Sequence, residues 1–114
     1  MISIYHNPRC SKSRQTLQLL EDKGISPEII LYLDTPPDKT ALLGLLDKLA
    51  LKPRQLLRKS EADYKDNQLK DPALSDEQLI DFMLKYPKLI ERPIVVNGDK
   101  AALGRPPESV LEIL

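Results

Sequence analysis

The sequence predicts an α/β fold in which a β-α-β unit is followed by several helices and then by a β-β-α unit. An alternating run, residues 2–5, and a nearly continuous apolar run, residues 29–33, enclose a segment with helical periodicity. After a middle portion without strand signals, two further runs, residues 93–96 and 101–103, flank the turn-forming pair Asn97-Gly98. The first unit predicts a parallel strand pair and the second an antiparallel hairpin. We therefore expect a central, mixed, four-stranded sheet flanked by helices.

The first helix and the second strand have clear boundary signals. The helix is predicted from about Ser11 to Lys23, because Gly24 suits the left-handed position that follows a last helical turn. The strand, residues 27–33, contains a nearly continuous apolar run. Such a run is typical of a strand that is covered on both faces.

Two helices are predicted after this strand. The first has Thr35 as its N-cap and two prolines in its first turn. The second is short and spans residues 53–58, starting at a proline. The apolar residues expected on the buried face of the longer helix are Leu42, Leu45, Leu46 and Leu49.

A third helix of this middle portion starts at Ser75, which forms a capping-box pattern with Gln78. Residues 61–72, which precede it, are polar, and we interpret them as a surface loop with one helical turn at residues 62–65. The residues expected on the buried face of the third helix are Leu79, Ile80, Phe82 and Met83.

The C-terminal segment is predicted to form a hairpin and a last helix. The pair Asn97-Gly98 is typical of a type I′ turn, in which both central residues have positive φ. The helix is predicted from Glu108 to Leu114 after two prolines. We expect Val110, Leu111 and Leu114 to face the sheet.

The composition limits the classes of function. A chain of 114 residues predicts a single domain, residues 1–114. Lys and Arg (17) balance Asp and Glu (17), so no net field favours nucleic acid or a membrane surface. One cysteine excludes an intrachain disulfide, and no signal-peptide pattern or membrane-length apolar run is present. We expect a cytoplasmic protein, a monomer, that binds neither nucleic acid nor membrane.

Cys10, the one cysteine, lies at the junction between the first strand and the first helix, and we expect it at or next to the N-cap of that helix. Three basic residues, Arg9, Lys12 and Arg14, lie within four positions of it. A helix N-terminus and nearby cations lower the pKa of a thiol below its usual ~8.5, and only the thiolate is nucleophilic. The alternative is a buried cysteine that acts as a small apolar side chain. Its polar neighbours favour the reactive thiol.

Residues 6–14, His-Asn-Pro-Arg-Cys-Ser-Lys-Ser-Arg, resemble the active-site loop of the glutaredoxin-linked arsenate reductases, the ArsC family. The likeness continues, in the same order, through residues 32–37, 56–59, 79–83, 91–96 and 104–106. It is strongest toward the YfgD-type branch. The resemblance implies a thioredoxin-like fold of the glutaredoxin/ArsC type, with the reactive cysteine at the first strand-to-helix turn.

The resemblance also implies an arginine triad for the oxyanion substrate, at Arg58, Arg92 and Arg105. Planar guanidinium groups bind the oxygens of a tetrahedral anion in pairs and stay charged at any working pH. The alternative for each is a solvated surface arginine. For Arg58 this alternative is supported by the basic residues Lys52, Arg54 and Lys59 nearby.

Four further residues are expected to support the site. Pro93 resembles the cis-proline that thioredoxin-like proteins place opposite the reactive sulfur. His6 either orients the loop, exchanges a proton, or is a satisfied histidine at a strand end. Ser13 occupies the second position of a Cys-x-x-Cys-like spacing and either bonds the thiolate or its own backbone. Arg14 adds positive charge beside the loop.

The resemblance implies reduction of arsenate to arsenite through a Cys10–arsenic adduct, with glutathione as co-substrate and glutaredoxin as partner. It implies no metal and no bound cofactor. One alternative is a thiol oxidoreductase of the monothiol glutaredoxin type that acts on glutathionylated proteins. Another is a regulator similar to Spx, which binds RNA polymerase and senses oxidation through a Cys-x-x-Cys loop, a feature that Ser13 removes.

Overall fold

The computed structural model describes residues 2–114 and divides them into two compact units. The first unit comprises residues 2–35 and 92–114, and the second comprises residues 36–91. That both fold as one domain stays a prediction. None of the helices within residues 2–114 combines the length and the apolar character that crossing a membrane requires.

The first unit is built on the predicted four-stranded sheet. Its strands are β1 (Ile2–Tyr5), β2 (Glu28–Ile30), β3 (Ile94–Asn97) and β4 (Lys100–Leu103), in the order β2-β1-β3-β4. β1 pairs parallel with β2 and antiparallel with β3, which pairs antiparallel with β4. Helix α1 (Ser11–Asp22) joins β1 to β2, and a 3-10 helix (Pro107–Ile113) follows β4. The mixed α/β architecture is confirmed.

A buried cluster of this unit lies on one face of the sheet. Ile4 of β1 stands opposite Val95 of β3, and both are fully buried. Leu20 of α1 and Val110 of the 3-10 helix pack on them and are also fully buried. This cluster fixes α1 on the sheet, and with α1 the position of the loop that precedes it.

Helix α1 ends as predicted. Gly24 has a φ of +78°, and its N–H donates to the carbonyl of Glu21 at 2.9 Å. The N–H of Ile25 donates to the carbonyl of Leu20 at 3.0 Å. These two bonds form a Schellman motif, which satisfies carbonyls that the end of the helix leaves unpaired.

The second strand is shorter and more exposed than the sequence predicts. β2 lies at the sheet edge and pairs only with β1, and Ile29 and Leu31 are 49% and 40% exposed. Beyond Ile30 the chain turns, because the N–H groups of Asp34 and Thr35 both donate to the carbonyl of Leu31. An apolar run does not by itself distinguish a central strand from an edge strand, so the expected cover on both faces was wrong.

The hairpin turn lies one residue later than predicted. Asn97 pairs with Lys100 inside the ladder, which leaves Gly98 and Asp99 as the turn. Gly98 has a φ of +63°, whereas Asp99 is not in the positive-φ region. This is the φ pattern of a type II′ turn, with glycine at its first central position, and the type I′ prediction was wrong.

The last helix is a 3-10 helix, and its buried face differs from the predicted one. With three residues per turn, Pro107, Val110 and Ile113 align along one side. Pro107 and Val110 are buried and Ile113 packs against the core, whereas Leu111 and Leu114 are exposed. The prediction for Val110 is confirmed. The predictions for Leu111 and Leu114 assumed the α-helical period of 3.6 and were wrong.

The second unit is helical. It contains α2 (Lys39–Leu49), α3 (Pro53–Leu56), α4 (Ala62–Asp66), α5 (Asp76–Lys85) and a 3-10 turn (Pro87–Leu89), with one antiparallel bridge between Leu57 and Ile90. The N-cap of α2 is Asp38, whose carboxylate accepts from the N–H of Ala41 at 2.8 Å, and not Thr35. A residue before a proline avoids the helical region, so the helix starts only after Pro37.

The predictions for the remaining helices of this unit are partly confirmed. The Ser75–Gln78 capping box is present, with both reciprocal hydrogen bonds formed. Residues 61–72 include the predicted helical turn, but they are not only a surface loop, because Tyr64 and Leu69 are buried. All the expected core residues of α2 and α5 are buried except two that are partly exposed, Leu49 and Phe82.

Gly104 provides a test of the packing around the start of α1. Its N–H donates to the carbonyl of Pro93 at 2.9 Å, and a Cβ there would lie 2.6 Å from Pro93 Cγ and even closer to Thr16 Oγ1. We expect Gly104→Ala to lower the free energy of unfolding by about 1–3 kcal/mol, because a well-packed site has no room for a methyl group. Chemical denaturation measures this loss.

Gly44→Ala is the matched control. Gly44 lies inside α2 and a Cβ there would meet no atom within 4 Å. We expect it to raise the free energy of unfolding by about 0.5–1 kcal/mol, since alanine favours the helix. A Gly104→Ala protein as stable as the wild type would contradict the packing described here.

Candidate active site

The loop between β1 and α1 is fixed by short hydrogen bonds. The side-chain oxygen of Asn7 accepts from the N–H of Arg9, and its carbonyl accepts from the N–H of Cys10, both at 3.0 Å. The guanidinium of Arg14 donates to the carbonyl of Pro8 at 2.9 Å. These bonds place Cys10 as the N-cap of α1, in extended conformation, as the sequence predicts.

A buried pair holds the loop against the first turn of the helix. His6 Nδ1 lies 2.6 Å from Ser13 Oγ, and the N–H of Asn7 donates to the same oxygen at 3.0 Å. Ser13 is fully buried and His6 is 6% exposed. Burial, and then the charge of Arg14, lower the pKa of His6, which favours the neutral ring. His6 is thus hydrogen-bonded to the first turn of the helix, and whether it exchanges a proton stays a prediction.

The charge of Cys10 is decided by opposing effects. Partial burial raises the pKa of the thiol, but the backbone N–H of Ser13, the guanidinium of Arg92 and the backbone N–H of Lys12 lower it, and the net direction is downward. The Cys10 side chain does not form an N-cap hydrogen bond of ordinary length. The amides of the first turn of α1 nevertheless favour the negatively charged sulfur, because their N–H groups carry partial positive charge. Ser13 contributes its backbone, since its hydroxyl is bonded to His6 and Asn7.

Two of the three predicted arginines lie at this thiol. Arg105 Nη2 is 3.5 Å from Cys10 Sγ, and Arg105 Nε donates to the carbonyl of Arg92 at 2.8 Å. The guanidinium of Arg92 lowers the pKa of Cys10 through a hydrogen bond and through its positive charge. Arg92 precedes the strand β3 and Arg105 follows β4, and the pairing of these two strands brings the arginines to the same end of the sheet.

Both arginines are followed by a cis-proline. The peptide bonds Arg92–Pro93 and Arg105–Pro106 are cis, and Pro93 is buried. The first was expected from the resemblance to thioredoxin-like proteins. The second was not foreseen, and no residue pattern distinguishes it from an ordinary trans bond.

Arg58 belongs to the second unit, where it pairs with two carboxylates. Its Nη1 lies 2.6 Å from Glu91 Oε1, and its Nε lies 3.7 Å from Glu61 Oε1. The bridge around Leu57 positions them, because the N–H of Arg58 donates to the carbonyl of Leu89 at 2.8 Å. Its side chain is only 16% exposed, so it is not a solvated surface arginine. Its role toward the substrate stays a prediction.

The structure thus brings Cys10, Arg92 and Arg105 together. Pro93 lies between Arg92 and the first residue of β3. Two features were not predicted. The hydrogen bond that the Asn7 side chain accepts had a signal in the Asn7-Pro8 pair, whereas the close approach at Gly104 had no signal in the sequence. The lowered pKa of Cys10 was expected from the helix N-terminus and from basic residues close to it in sequence. The backbone N–H groups of the first turn do contribute, but the side chain that lowers the pKa is that of Arg92, far along the chain.

The chain is similar over nearly its whole length to members of one protein family. The model of the ArsC family matches residues 5–113. The chain is 54% identical to the uncharacterized protein YfgD of Escherichia coli K12, over 99% of this chain and 96% of that protein. It is 50% identical to an arsenate reductase of Haemophilus influenzae, over 99% and 98%. A solved arsenate reductase from Vibrio cholerae superposes with a TM-score of 0.97 at 53% identity, over 99% and 97% of the two chains.

We expect the pKa of Cys10 to lie below the ~8.5 of a free thiol, and Arg92→Met to raise it. Because the folded-state pKa is lowered, the thiolate stabilises the fold above the unfolded-state pKa. That contribution is lost as the pH falls through the folded-state pKa. Alkylation rate or thiolate absorbance against pH measures the titration.

Lys12→Met is the matched control, because the side chain of Lys12 is exposed and the variant keeps the backbone N–H that acts on the sulfur. We expect it to leave the titration of Cys10 close to that of the wild type. A larger rise in Lys12→Met than in Arg92→Met would show that local side-chain charge, and not Arg92, controls the thiol.

Arg58→Ala tests the ion pairs of the second unit. We expect it to lower the free energy of unfolding by about 1–3 kcal/mol, because it removes a cation that pairs with two partly buried carboxylates. Arg54→Ala, which removes a guanidinium that bonds only backbone carbonyls, is the comparison. Thermal unfolding of Arg58→Ala that matches the wild type between pH 6 and 8 would contradict this role.

Proposed function

The chain belongs to the ArsC family, and from this premise we propose that it reduces arsenate to arsenite, with Cys10 as the nucleophile. The observation that supports this most directly is the convergence of Arg92 and Arg105 on the Cys10 sulfur, whose pKa is lowered. A thiolate beside two guanidinium groups suits a substrate that is itself an anion. The named arsenate reductases among the relatives support the same substrate.

The first step is attack of the Cys10 thiolate on arsenic. An As–S bond forms and an As–O bond breaks, and the departing oxygen leaves as water after protonation from solvent. The thiolate and the arsenate oxyanion repel each other, so the reaction needs positive charge between them. The guanidinium groups of Arg105 and Arg92 supply that charge. Arg105 Nη2 lies at the sulfur, and Arg105 Nε donates to the carbonyl of Arg92.

The second half of the reaction needs thiols from outside, because Cys10 is the only cysteine. Glutathione replaces a second oxygen of the adduct, which leaves as water. The glutaredoxin thiolate then attacks the glutathione sulfur, a disulfide forms between the two, and the electron pair of the broken As–S bond stays on arsenic. Water releases arsenite and restores the Cys10 thiolate, so the two thiols supply both electrons. No metal or bound cofactor takes part in this scheme.

The main rival is a monothiol glutaredoxin-like oxidoreductase that reduces glutathionylated proteins. Such an enzyme needs a nucleophilic thiol but has no use for an oxyanion at it. The two guanidinium groups at Cys10 therefore favour the oxyanion substrate. An Spx-like regulator would need a second cysteine at position 13, where this chain has Ser13. Cytoplasmic location and a monomeric state stay predictions.

Arsenate-dependent oxidation of NADPH in the presence of glutathione, glutaredoxin and glutathione reductase tests the proposal. We expect turnover with arsenate and none with Cys10→Ser, which removes the nucleophile. Reduction of a glutathionylated protein at a high rate, together with no arsenate-dependent turnover, would replace the proposal with its rival.

Arg92→Lys and Arg105→Lys test how the anion is held. Each keeps the charge but loses the planar fork, and we expect turnover to fall on the order of tenfold to a thousandfold with little change in Tm. The control is Arg54→Lys, because Arg54 belongs to the second unit and its guanidinium donates to the carbonyls of Leu69 and Asp71. Unchanged turnover in both Arg92→Lys and Arg105→Lys would exclude paired contacts to the oxyanion.

Omission of glutathione tests the route of the electrons. We expect the wild type to stop, since it has no internal thiol to complete the reduction. Ser13→Cys introduces a resolving thiol and should lessen the dependence on glutathione. Sustained turnover of the wild type with thioredoxin alone would contradict the glutaredoxin-linked route while leaving the family unchanged.

A further inference from the structure

A cavity of about 390 Å³ lies beside the Cys10 loop, within the first unit. One wall is the loop itself, residues 6–9, and the other is the segment that follows β2, at Leu31, Leu33 and Asp34. Its size falls within the ~300–1,000 Å³ of small-molecule sites. Both walls follow the carboxyl ends of the parallel strands β1 and β2, which is where ligands bind in α/β sheets.

The lining of this cavity carries one charge of each sign. Arg9 and Asp34 are both exposed, and within residues 2–114 neither the guanidinium nor the carboxylate has a hydrogen-bond or ion-pair partner. Both are therefore available to a ligand. Pro8, Leu31 and Leu33 add apolar surface to the same lining.

This set of groups does not suit an inorganic oxyanion. The Asp34 carboxylate would repel arsenate or phosphate, and Arg9 is the only cation of the lining. It suits a small zwitterion, whose carboxylate would bind Arg9 and whose ammonium would bind Asp34. A peptide of three residues, extended over about 10 Å, presents both charges and apolar methylenes between them.

We propose that this cavity binds the non-reacting part of the thiol co-substrate, a zwitterionic tripeptide thiol of the glutathione type. The inference rests on the proposed function, which requires such a thiol at the arsenic adduct. The loop that forms one wall continues directly from Arg9 into Cys10, and the N–H of Cys10 is bonded to Asn7 of that wall. A ligand seated in the cavity is thus bound next to the residue that carries the adduct. Neither Arg92 nor Arg105 lines this cavity.

Binding is measured without chemistry. S-methylglutathione, which has no free thiol, is titrated into the Cys10→Ser protein and followed by amide NMR shifts. We expect saturable binding with the largest shifts at residues 6–9 and 31–34. Arg9→Ala and Asp34→Asn should each weaken binding about tenfold or more, because each removes one of the two charged contacts. Their matched controls are Lys23→Ala and Glu112→Gln, two exposed residues outside the cavity, and these should bind as the parent does.

Three results would overturn the inference. They are no saturation at millimolar ligand, shifts centred on residues 92 and 105 instead of the cavity, or equal displacement of the ligand by inorganic phosphate. Because neither probe nor protein can react, this binding is independent of arsenate turnover. Binding without arsenate-dependent NADPH oxidation in the wild type would reject the proposed function alone. Turnover without binding at the cavity would reject this inference alone.

Discussion

The site depends on keeping a partly buried sulfur negatively charged at the first turn of α1. Burial opposes the charge, and the N–H groups of Ser13 and Lys12 together with Arg92 outweigh it. These amides are effective only if the loop and the helix hold their relative positions closely. Much of the surrounding structure serves that requirement. The Ser13 hydroxyl is hydrogen-bonded to His6 and Asn7, and Arg14 donates to the carbonyl of Pro8 in the loop. The buried cluster around Leu20 fixes the helix on the sheet.

The register of the sheet assembles the rest of the site. Tyr5 of β1 pairs with Ile94 of β3, which pairs with Leu103 of β4. The segments that continue beyond these three residues leave the sheet at one end, and they carry the Cys10 loop, Arg92 and Arg105. At that end Gly104, the residue after β4, lets the chain lie close against Pro93 and Thr16. Three parts of the chain that are distant in sequence meet at the sulfur for this reason.

The features that were predicted correctly are those that depend on residues adjacent in sequence. The Schellman glycine Gly24, the Ser75–Gln78 capping box and the N-cap position of Cys10 all depend on a few adjacent residues, and all were predicted. Errors arose where one pattern fits two geometries. The Asn97-Gly98 pair serves either of two hairpin turns, and the C-terminal apolar residues fit an α-helix or a 3-10 helix.

The arginines could not be placed at the thiol from residue patterns, because their position depends on strand pairing between distant segments. Only the family resemblance suggested them, and Arg58, held in the second unit by Glu91 and Glu61, shows that a motif match does not give a side chain's contacts. The edge position of β2 was likewise a matter of pairing, and it leaves the cavity between the loop and residues 31–34 open to a ligand.

The covalent step is the central claim, and mass spectrometry of the intact protein tests it most directly. Reduced protein is mixed with arsenate and glutathione, without glutaredoxin, so that the reaction stops at the adduct, and the mixture is then quenched. The account predicts a mass increase that corresponds to arsenic and glutathione together, located by digestion on the peptide that contains Cys10. An unmodified Cys10 peptide in this mixture, from a preparation that reduces arsenate once glutaredoxin is added, would contradict it.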